Sequence, residues 1–505
     1  MKQARPIHAP SAHRSRSLRA EQRSKIVGAH KRTKTEMLNQ IHFQAHFRTQ
    51  FSTPRLVAFA LAIMIALPST AAVPFSRPAG AAETIEVGAG YIALFTCSAH
   101  FIMGRPLEDI MRVEMVDIAP FEPPLPEIDT DRQLVRATDH DGNVAIAAFR
   151  DTMGCTVLPP HWTEADIVKL PYVAYPPRPD VSALPFPEGD KANPKMNRAQ
   201  RAVLSRALDG KSFGEKTVTL ATVIIKDGEI VGEQYRPGFG IHTGYRTWST
   251  AKSIAATLVG IASHAGLIDI DQPLGIPEWQ YFKDPRQEIT WRHLLNMSSG
   301  LQSAGAGTGA IYFGGQDAVS AITTTPLVAD PNTVWKYANG DTLLLLYGLR
   351  HVLNDDLRYL RYPYEELFLR IGMYDSRYET DHLGNFIGSS QMYTTARDLA
   401  RFGLLYLQEG IWNGEQILPE GWSELVATAA PALARQDGKQ GYGGQFWLLD
   451  RLPGVPEGTY TTSGNKGQLT TIIPSENMVI VRTGVDPNGV AWQHAKFIAA
   501  VLETF

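Results

Sequence analysis

The chain has 505 residues and a formal net charge of −3, with 44% hydrophobic and 20% charged residues. This is the composition of a soluble globular protein, and the length is enough for more than one domain. The charge is uneven, because residues 1–55 hold twelve Lys or Arg and two Glu while the rest of the chain is acidic. A basic head on an acidic body predicts a leader segment, and we expect no nucleic-acid partner.

The apolar run LVAFALAIMIAL occupies residues 56–67, directly after this basic region. It is shorter than the about 20 residues that cross a bilayer, and small residues follow it, with candidate cleavage sites after Ala72 and Ala81. We therefore predict a leader and signal peptide over residues 1–82 and export to the periplasm. The alternative is an uncleaved anchor, and membrane contact is expected through this leader alone.

Residues 83–190 are predicted to form an accessory segment that ends in a proline-rich linker over residues 171–189. This segment contains both cysteines, Cys97 and Cys155. In an exported protein they are candidates for a disulfide bond, and two buried thiols are the alternative. Two cysteines cannot form a zinc site alone, and we expect no metal. The segment could brace the catalytic unit, cover its cleft or mediate association.

Residues 191–505 carry strand signals at both ends and helical signals between them. The stretch TVTLATVIIKDGEIVGEQYRPG (217–238) contains two strand-like runs around Asp227-Gly228, which predicts a hairpin. Apolar residues at helical spacing dominate about 266–440, and strand patterns return after them. The pattern predicts an α+β fold: one antiparallel sheet built from both ends, flanked by helices, with a mainly helical insertion. A site is expected in the cleft between the two parts.

A serine stands three residues before a lysine in TWSTAKSIAATLVGIA (247–262), at the start of a buried helix. Residues i and i+3 share a helix face, so Ser249 and Lys252 are predicted to meet. Burial lowers the pKa of a lysine, and a neutral lysine can accept the proton of a serine hydroxyl. The motif therefore indicates an activated nucleophile. The alternative is a helix-capping serine beside a lysine whose charge reaches solvent.

The surrounding segments, from about residue 200 to 505, resemble the serine β-lactamase and penicillin-binding-protein superfamily. The resemblance is carried, in order, by WSTAKS, ITWRHLLNMSSGL (289–301), WKYANGD (335–341) and TTSGNKGQLTTIIPSENMVIVRTG (461–484). It is strongest to the class C-like branch of esterases and 6-aminohexanoate-dimer hydrolases. It implies a β-lactamase-like fold.

The resemblance also assigns roles. Tyr337 would be the partner base of Lys252, and a neighbouring ammonium is expected to favour its phenolate. Asn339 would hold the substrate amide or the lysine, although Asn-Gly also simply makes a turn. The N–H groups of Ser249 and Asn465 would form an oxyanion hole.

One element departs from the family. Where its β-lactamases and peptidases have Lys-Thr-Gly, this chain has Thr462-Ser463-Gly464. The missing cation argues against recognition of a β-lactam carboxylate, while Gly464 still permits close backbone approach. Lys466 either is a solvated surface residue or faces the cleft and replaces that cation.

We therefore expect an exported serine hydrolase that cleaves a small ester or amide, including linear amide oligomers, through an acyl-enzyme. No metal or organic cofactor is expected. One alternative is a true class C-type β-lactamase or D-amino-acid peptidase. Another is a non-catalytic, penicillin-binding-protein-like module of the cell envelope.

Overall fold

The structure is a computed structural model that describes residues 87–115, 124–302, 307–433, 438 and 440–505. The leader predicted over residues 1–82 lies outside these ranges. The α-helices of the described residues are α1 (Val87–Phe101), α2 (Leu107–Val113), α3 (Arg198–Ala207), α4 (Thr250–His264), α5 (Trp291–Leu295), α6 (Gly307–Phe313), α7 (Ala318–Thr323), α8 (Asn339–Leu353), α9 (Asp356–Pro363), α10 (Ala396–Leu407), α11 (Trp422–Ala427) and α12 (His494–Leu502).

The strands of the same ranges are short outside the central sheet. They are β1 (Glu127–Asp129), β2 (Leu134–Thr138), β3 (Val144–Arg150), β4 (Gly154–Val157), β5 (Thr219–Lys226), β6 (Glu229–Tyr235), β7 (Tyr245–Arg246), β8 (Arg377–Tyr378), β9 (Met392–Thr394), β10 (Ile411–Trp412), β11 (Glu415–Gln416), β12 (Gly441–Tyr442), β13 (Trp447–Leu448), β14 (Tyr460–Gly464), β15 (Gln468–Ile473) and β16 (Met478–Gly484).

The central sheet has seven strands in the order β12-β13-β14-β15-β16-β5-β6, and all neighbours are antiparallel. The last strand, β16, pairs with β5, so the two ends of the catalytic unit meet in one sheet. Asp227 and Gly228 join β5 to β6 with positive φ angles of 53° and 86°, as a tight hairpin turn requires. The predicted α+β architecture and the hairpin are confirmed.

Helices cover both faces of this sheet, because side chains along a strand alternate between faces. Ile224 and Ile480 pack with α3 and α12 on one face. Their neighbours Val223 and Val481 belong to the larger core on the other face, where α4 and α10 lie against the sheet. Helix α4, which begins after Ser249, is thereby buried along most of its length.

The accessory segment folds as helix α1 packed on an antiparallel sheet of β1, β2, β3 and β4 in that order. The sequence pattern did not predict α1, because it is buried on almost every side and lacks the polar face of an amphipathic helix. Cys97 of α1 and Cys155 of β4 form a disulfide bond, which decides between the two alternatives for these residues.

The described residues, from Val87 to Phe505, belong to one compact unit. The proline-rich linker crosses α10, where Arg401 donates hydrogen bonds to the carbonyl oxygens of Pro187 and Gly189. The boundary predicted at residue 190 stays a prediction. No helix among the described residues has both the length and the apolar character that a membrane span needs.

Candidate active site

Ser249 lies at the boundary between a strained residue and helix α4. Trp248 has a φ of 48°, a left-handed conformation that is costly for a bulky side chain and occurs at functional sites. Ser249 itself is helical (φ −65°, ψ −7°), is half-buried and makes no capping hydrogen bond to α4. The interpretation of Ser249 as a simple cap is therefore wrong.

Lys252 points at this serine from the next turn of the helix. Its Nζ lies 3.1 Å from Ser249 Oγ and donates a 2.6 Å hydrogen bond to the carbonyl oxygen of Ser389. The lysine is only 1% exposed, so its charge does not reach solvent. Burial lowers the pKa of Lys252 to about 7, which makes the neutral amine available near neutral pH. The partner Ser389 was missed, because a backbone carbonyl leaves no signature in the sequence.

Tyr337 completes the group, as the resemblance implied. Its ring centroid lies 5.1 Å from Lys252 Nζ, and its hydroxyl hydrogen-bonds to the Ser249 side chain. Burial raises the pKa of Tyr337 to about 12, and the hydrogen bond to Ser249 only partly offsets this. The expectation that Lys252 favours a phenolate is therefore wrong. Desolvation of the phenol dominates, and Tyr337 is neutral.

Asn339 is the first residue of α8 and is half-buried beside Tyr337. Its amide nitrogen donates to Thr308 Oγ1 of α6 at 3.4 Å. The role of holding the lysine falls instead to the Ser389 carbonyl. Asn339 thus remains placed for a substrate contact at the edge of the cleft.

Strand β14 approaches the nucleophile through Gly464. A Cβ atom on this glycine would collide with the carbonyl oxygen of Thr247, two residues before Ser249, so the two backbones are in direct contact. Ser463 is half-buried and Asn465 is exposed. Because Asn465 directly follows Gly464, its backbone lies near the start of α4, as an oxyanion hole built from the two segments requires.

Thr462 occupies the position of the family lysine but turns inward. It is fully buried, and its hydroxyl lies 3.1 Å from Thr250 Oγ1 of α4 and accepts a hydrogen bond from the Thr470 N–H. The predicted substrate contact through this side chain is therefore not available. Thr462 instead fixes α4 to the sheet.

Lys466 follows in the turn between β14 and β15, with a φ of 60°. It is 7% exposed, so the solvated interpretation is wrong. Burial lowers the pKa of Lys466, and the carboxylates of Glu114 and Asp486 act in the opposite direction. Lys466 is therefore a buried lysine whose ammonium is favoured by two acidic groups of the fold.

A cavity of about 160 Å³ opens beside Tyr337 and Asn339. Its other walls include Ile311 of α6, Ile322 of α7, Leu343 and Leu344 of α8, and Leu301, which precedes these helices. One carboxyl group, that of Asp341, also lines it. On another side of Tyr337, Trp447 stacks at 5.6 Å and Tyr442 packs edge-on at 5.8 Å. The site thus combines a nucleophile with apolar walls.

Comparisons with known proteins identify the family of the chain. A model of the Beta-lactamase family matches residues 204–488, a region that holds every candidate site residue outside the disulfide. The 6-aminohexanoate-dimer hydrolase of Paenarthrobacter ureafaciens is 25% identical over 334 residues, which are 58% of this chain and 79% of that protein. An uncharacterized protein of Alkalihalophilus pseudofirmus is 26% identical over 291 residues, 51% of this chain and 81% of its own.

A solved structure supports the fold. The match to a Bacteroides dorei protein provisionally named a beta-lactamase covers 60% of this chain and 96% of that protein, with a TM-score of 0.50 and 18% identity. The family match extends over more than half of the 505 residues and includes the strand, the helix and the loop that meet at Ser249. The chain therefore belongs to the beta-lactamase family and is a serine hydrolase related to 6-aminohexanoate-dimer hydrolase.

Proposed function

We propose that this serine hydrolase cleaves small esters or linear amides through an acyl-enzyme on Ser249. The observation that carries the proposal is the contact between Ser249 Oγ and the Lys252 amine at 3.1 Å, with the pKa of that amine lowered to about 7. A neutral amine within hydrogen-bond reach is what a serine needs to become a nucleophile at neutral pH.

In the first step, Ser249 Oγ attacks the substrate carbonyl carbon and its proton moves to Lys252 Nζ. The negative charge that develops on the carbonyl oxygen is stabilised by the backbone N–H groups of Ser249 and Asn465. The close approach of Gly464 to Thr247 supports this placement of the two donors.

In the second step, the bond to the leaving group breaks and the leaving oxygen or nitrogen takes a proton from the Tyr337 hydroxyl. Tyr337 is neutral and hydrogen-bonded to Ser249, so it can donate at this point and regain a proton from the Lys252 ammonium. Water then attacks the acyl-enzyme, the same groups move its proton, and the acid product leaves Ser249 in its starting form.

The walls of the site support small, extended, largely apolar substrates. The cavity of about 160 Å³ beside Asn339 accommodates a short alkyl chain, and the relative from Paenarthrobacter ureafaciens is named for a linear amide dimer. The buried Thr462 leaves no cation at the position where the wider family binds a carboxylate, which disfavours β-lactams.

Covalent labelling tests the proposal. Purified protein and the Ser249→Ala variant are treated with a fluorescent fluorophosphonate and with a fluorescent penicillin, and the labelled peptide is located by mass spectrometry. We expect fluorophosphonate label on Ser249 and none on the variant, together with turnover of short-chain p-nitrophenyl esters or the linear dimer of 6-aminohexanoate. Penicillin labelling with nitrocefin turnover would indicate the β-lactamase or peptidase alternative. The absence of both labels would leave the binding module.

We also propose that the protein is exported to the periplasm, with membrane contact only through an uncleaved leader. The Cys97–Cys155 disulfide supports this, because such bonds persist in oxidising compartments. Cell fractionation with N-terminal sequencing of the mature protein tests it. A new N-terminus after Ala72 or Ala81 is expected, whereas an intact leader in the membrane fraction would indicate the anchor.

A further inference from the structure

Helix α1 lies outside the region that matches the family but reaches the residue next to the nucleophile. Phe95 of α1 is 1% exposed, and its ring centroid lies 5.5 Å from that of Trp248. Trp248 directly precedes Ser249 and holds the positive φ angle of 48°. A helix outside the matched region thus contacts a residue of the site that has a left-handed backbone.

Arg246 joins these two rings. Its guanidinium carbon lies 4.3 Å from the Phe95 centroid and 4.6 Å from the Trp248 centroid. Arg246 is 6% exposed, and none of its three guanidinium nitrogens has a hydrogen-bond partner among the described residues. A buried guanidinium without hydrogen bonds is destabilising. Contact with aromatic faces, which include the Phe313 ring at 5.9 Å, and attraction to the buried acid Glu379 retain Arg246 in this position.

The contact bears on the position of the Ser249 hydroxyl. A tryptophan with positive φ relaxes toward the extended or helical regions unless its surroundings hold it, since the left-handed conformation costs about 1–3 kcal/mol. Any such relaxation rotates the peptide that leads into Ser249 and moves Oγ relative to Lys252. Phe95 and Arg246 pack against the ring of this strained residue.

Helix α1 is itself fastened close to Phe95. Cys97, two residues on, is bonded to Cys155, and Ser98 donates a 2.8 Å hydrogen bond to the buried carboxylate of Glu379. Glu379 also accepts from the Cys155 N–H at 2.9 Å. Glu379 directly follows β8, and β8 belongs to the sheet β7-β9-β8. These attachments therefore fix α1 to the sheet whose strand β7 leads into Trp248 and Ser249.

We propose that Phe95 is a positioning residue for the nucleophile, acting through Arg246 and Trp248, so that the accessory segment is part of the active-site architecture. This inference rests on the proposed function of Ser249. It predicts that loss of the aromatic face at position 95 slows acylation of Ser249 by more than it weakens substrate binding.

The chain offers a matched control on the same helix. Phe101 stacks on Phe149 of the accessory sheet, with centroids 5.1 Å apart, and this contact lies within the accessory segment. The variants are Phe95→Leu, which fills most of the volume without a ring, Phe95→Tyr, which restores a ring, and Phe101→Leu. Each is compared with the wild type for melting temperature, for the second-order rate of fluorophosphonate labelling, and for kcat and KM on a p-nitrophenyl ester, well below the lowest melting temperature.

We expect Phe95→Leu to reduce the labelling rate and kcat by about tenfold to a hundredfold, because a small misplacement of a reacting atom has effects of that size. KM changes little, Phe95→Tyr recovers most of the rate, and Phe101→Leu lowers the melting temperature without changing the rate. Equal labelling rates for Phe95→Leu and the wild type would overturn the positioning role while leaving the proposed function intact. Equal slowing by Phe101→Leu would overturn it as well, since the effect would then be one of general stability. If the wild type takes no label, the proposed function fails, and the positioning role fails with it.

Discussion

The amine nitrogen of Lys252 lies 3.1 Å from the hydroxyl oxygen of Ser249, and a pKa of about 7 makes it a base at neutral pH. Because the protonated amine cannot accept the serine proton, kcat/KM should rise with pH to a plateau, with its midpoint near 7. We expect Lys252→Arg and Lys252→Met to lose this limb and to reduce kcat/KM by at least about a hundredfold. The pH dependence of kcat/KM on an uncharged ester measures this midpoint. A midpoint near pH 4, or a rise with pH that persists in Lys252→Met, would show that another group is the base.

Replacement of Tyr337 by phenylalanine separates the hydroxyl from the ring. Stacking on Trp447 and edge-on contact with Tyr442 are retained, so the melting temperature should change little. The hydroxyl hydrogen-bonded to Ser249 is lost, and we expect kcat to fall by about 10²–10⁴-fold.

The pKa of Tyr337 provides a second check. Because it is raised to about 12, ionisation of the phenol should not limit the wild-type rate on the alkaline side below that pH. A drop in the rate with a midpoint well under this value, absent in Tyr337→Phe, would show that the phenol ionises in the working range. Stopped-flow acylation kinetics in brief pH jumps measure this without long exposure to alkali.

Strand β14 supplies a test of the oxyanion hole. In Gly464→Ala the new Cβ would collide with the Thr247 carbonyl oxygen, so β14 or the start of α4 must move. Because oxyanion donors act only at short range, we expect kcat to fall by about 10²–10³-fold. Ser463→Ala is the control, since it removes a side chain of the same strand without adding bulk. If Gly464→Ala kept the same kcat as Ser463→Ala and the wild type, the Asn465 N–H would have no part in the oxyanion hole.

Local spacing accounts for what the sequence predicted correctly. Ser249 and Lys252 meet because residues three apart share a helix face, and Asp227-Gly228 specifies its own turn. The resemblance added Tyr337, whose position depends on a loop about ninety residues away in the chain. The Ser389 carbonyl was not predictable, because any residue could supply it at that position.

The accessory segment shows the same limit on a larger scale. Helix α1 is apolar on nearly all sides, so no period revealed it, and the contact of Phe95 with Trp248 joins residues 153 positions apart. Thr462 illustrates the converse: its place in the motif was found, but the direction of its side chain depended on Thr250 across the helix–sheet interface. Contacts between segments that are distant in the chain could therefore not be predicted from the sequence.

Asp341 should make the stability of the protein fall as pH rises. Burial raises its pKa from the usual value of 3.8 to about 7, although Ser299 Oγ donates a 2.8 Å hydrogen bond to Oδ1. Between these two values the folded state binds a proton that the unfolded state has released, so the free energy of unfolding decreases with pH and then levels off above about 7. A shift of this size corresponds to roughly 4 kcal/mol.

The substitution Asp341→Asn isolates this effect, because the amide can still accept the hydrogen bond from Ser299 and does not ionise. Oδ2 has no hydrogen-bond partner among the described residues, so the amide nitrogen would displace no existing contact there. We expect the variant to be less dependent on pH than the wild type and to exceed it in stability above pH 7, as measured by urea unfolding at several pH values. Ser299→Ala should do the opposite: without its donor the carboxylate is less favoured, and the loss of stability with rising pH becomes larger. Parallel stability curves for the wild type and Asp341→Asn would mean that burial does not raise the pKa of this carboxyl group above its value in the unfolded chain.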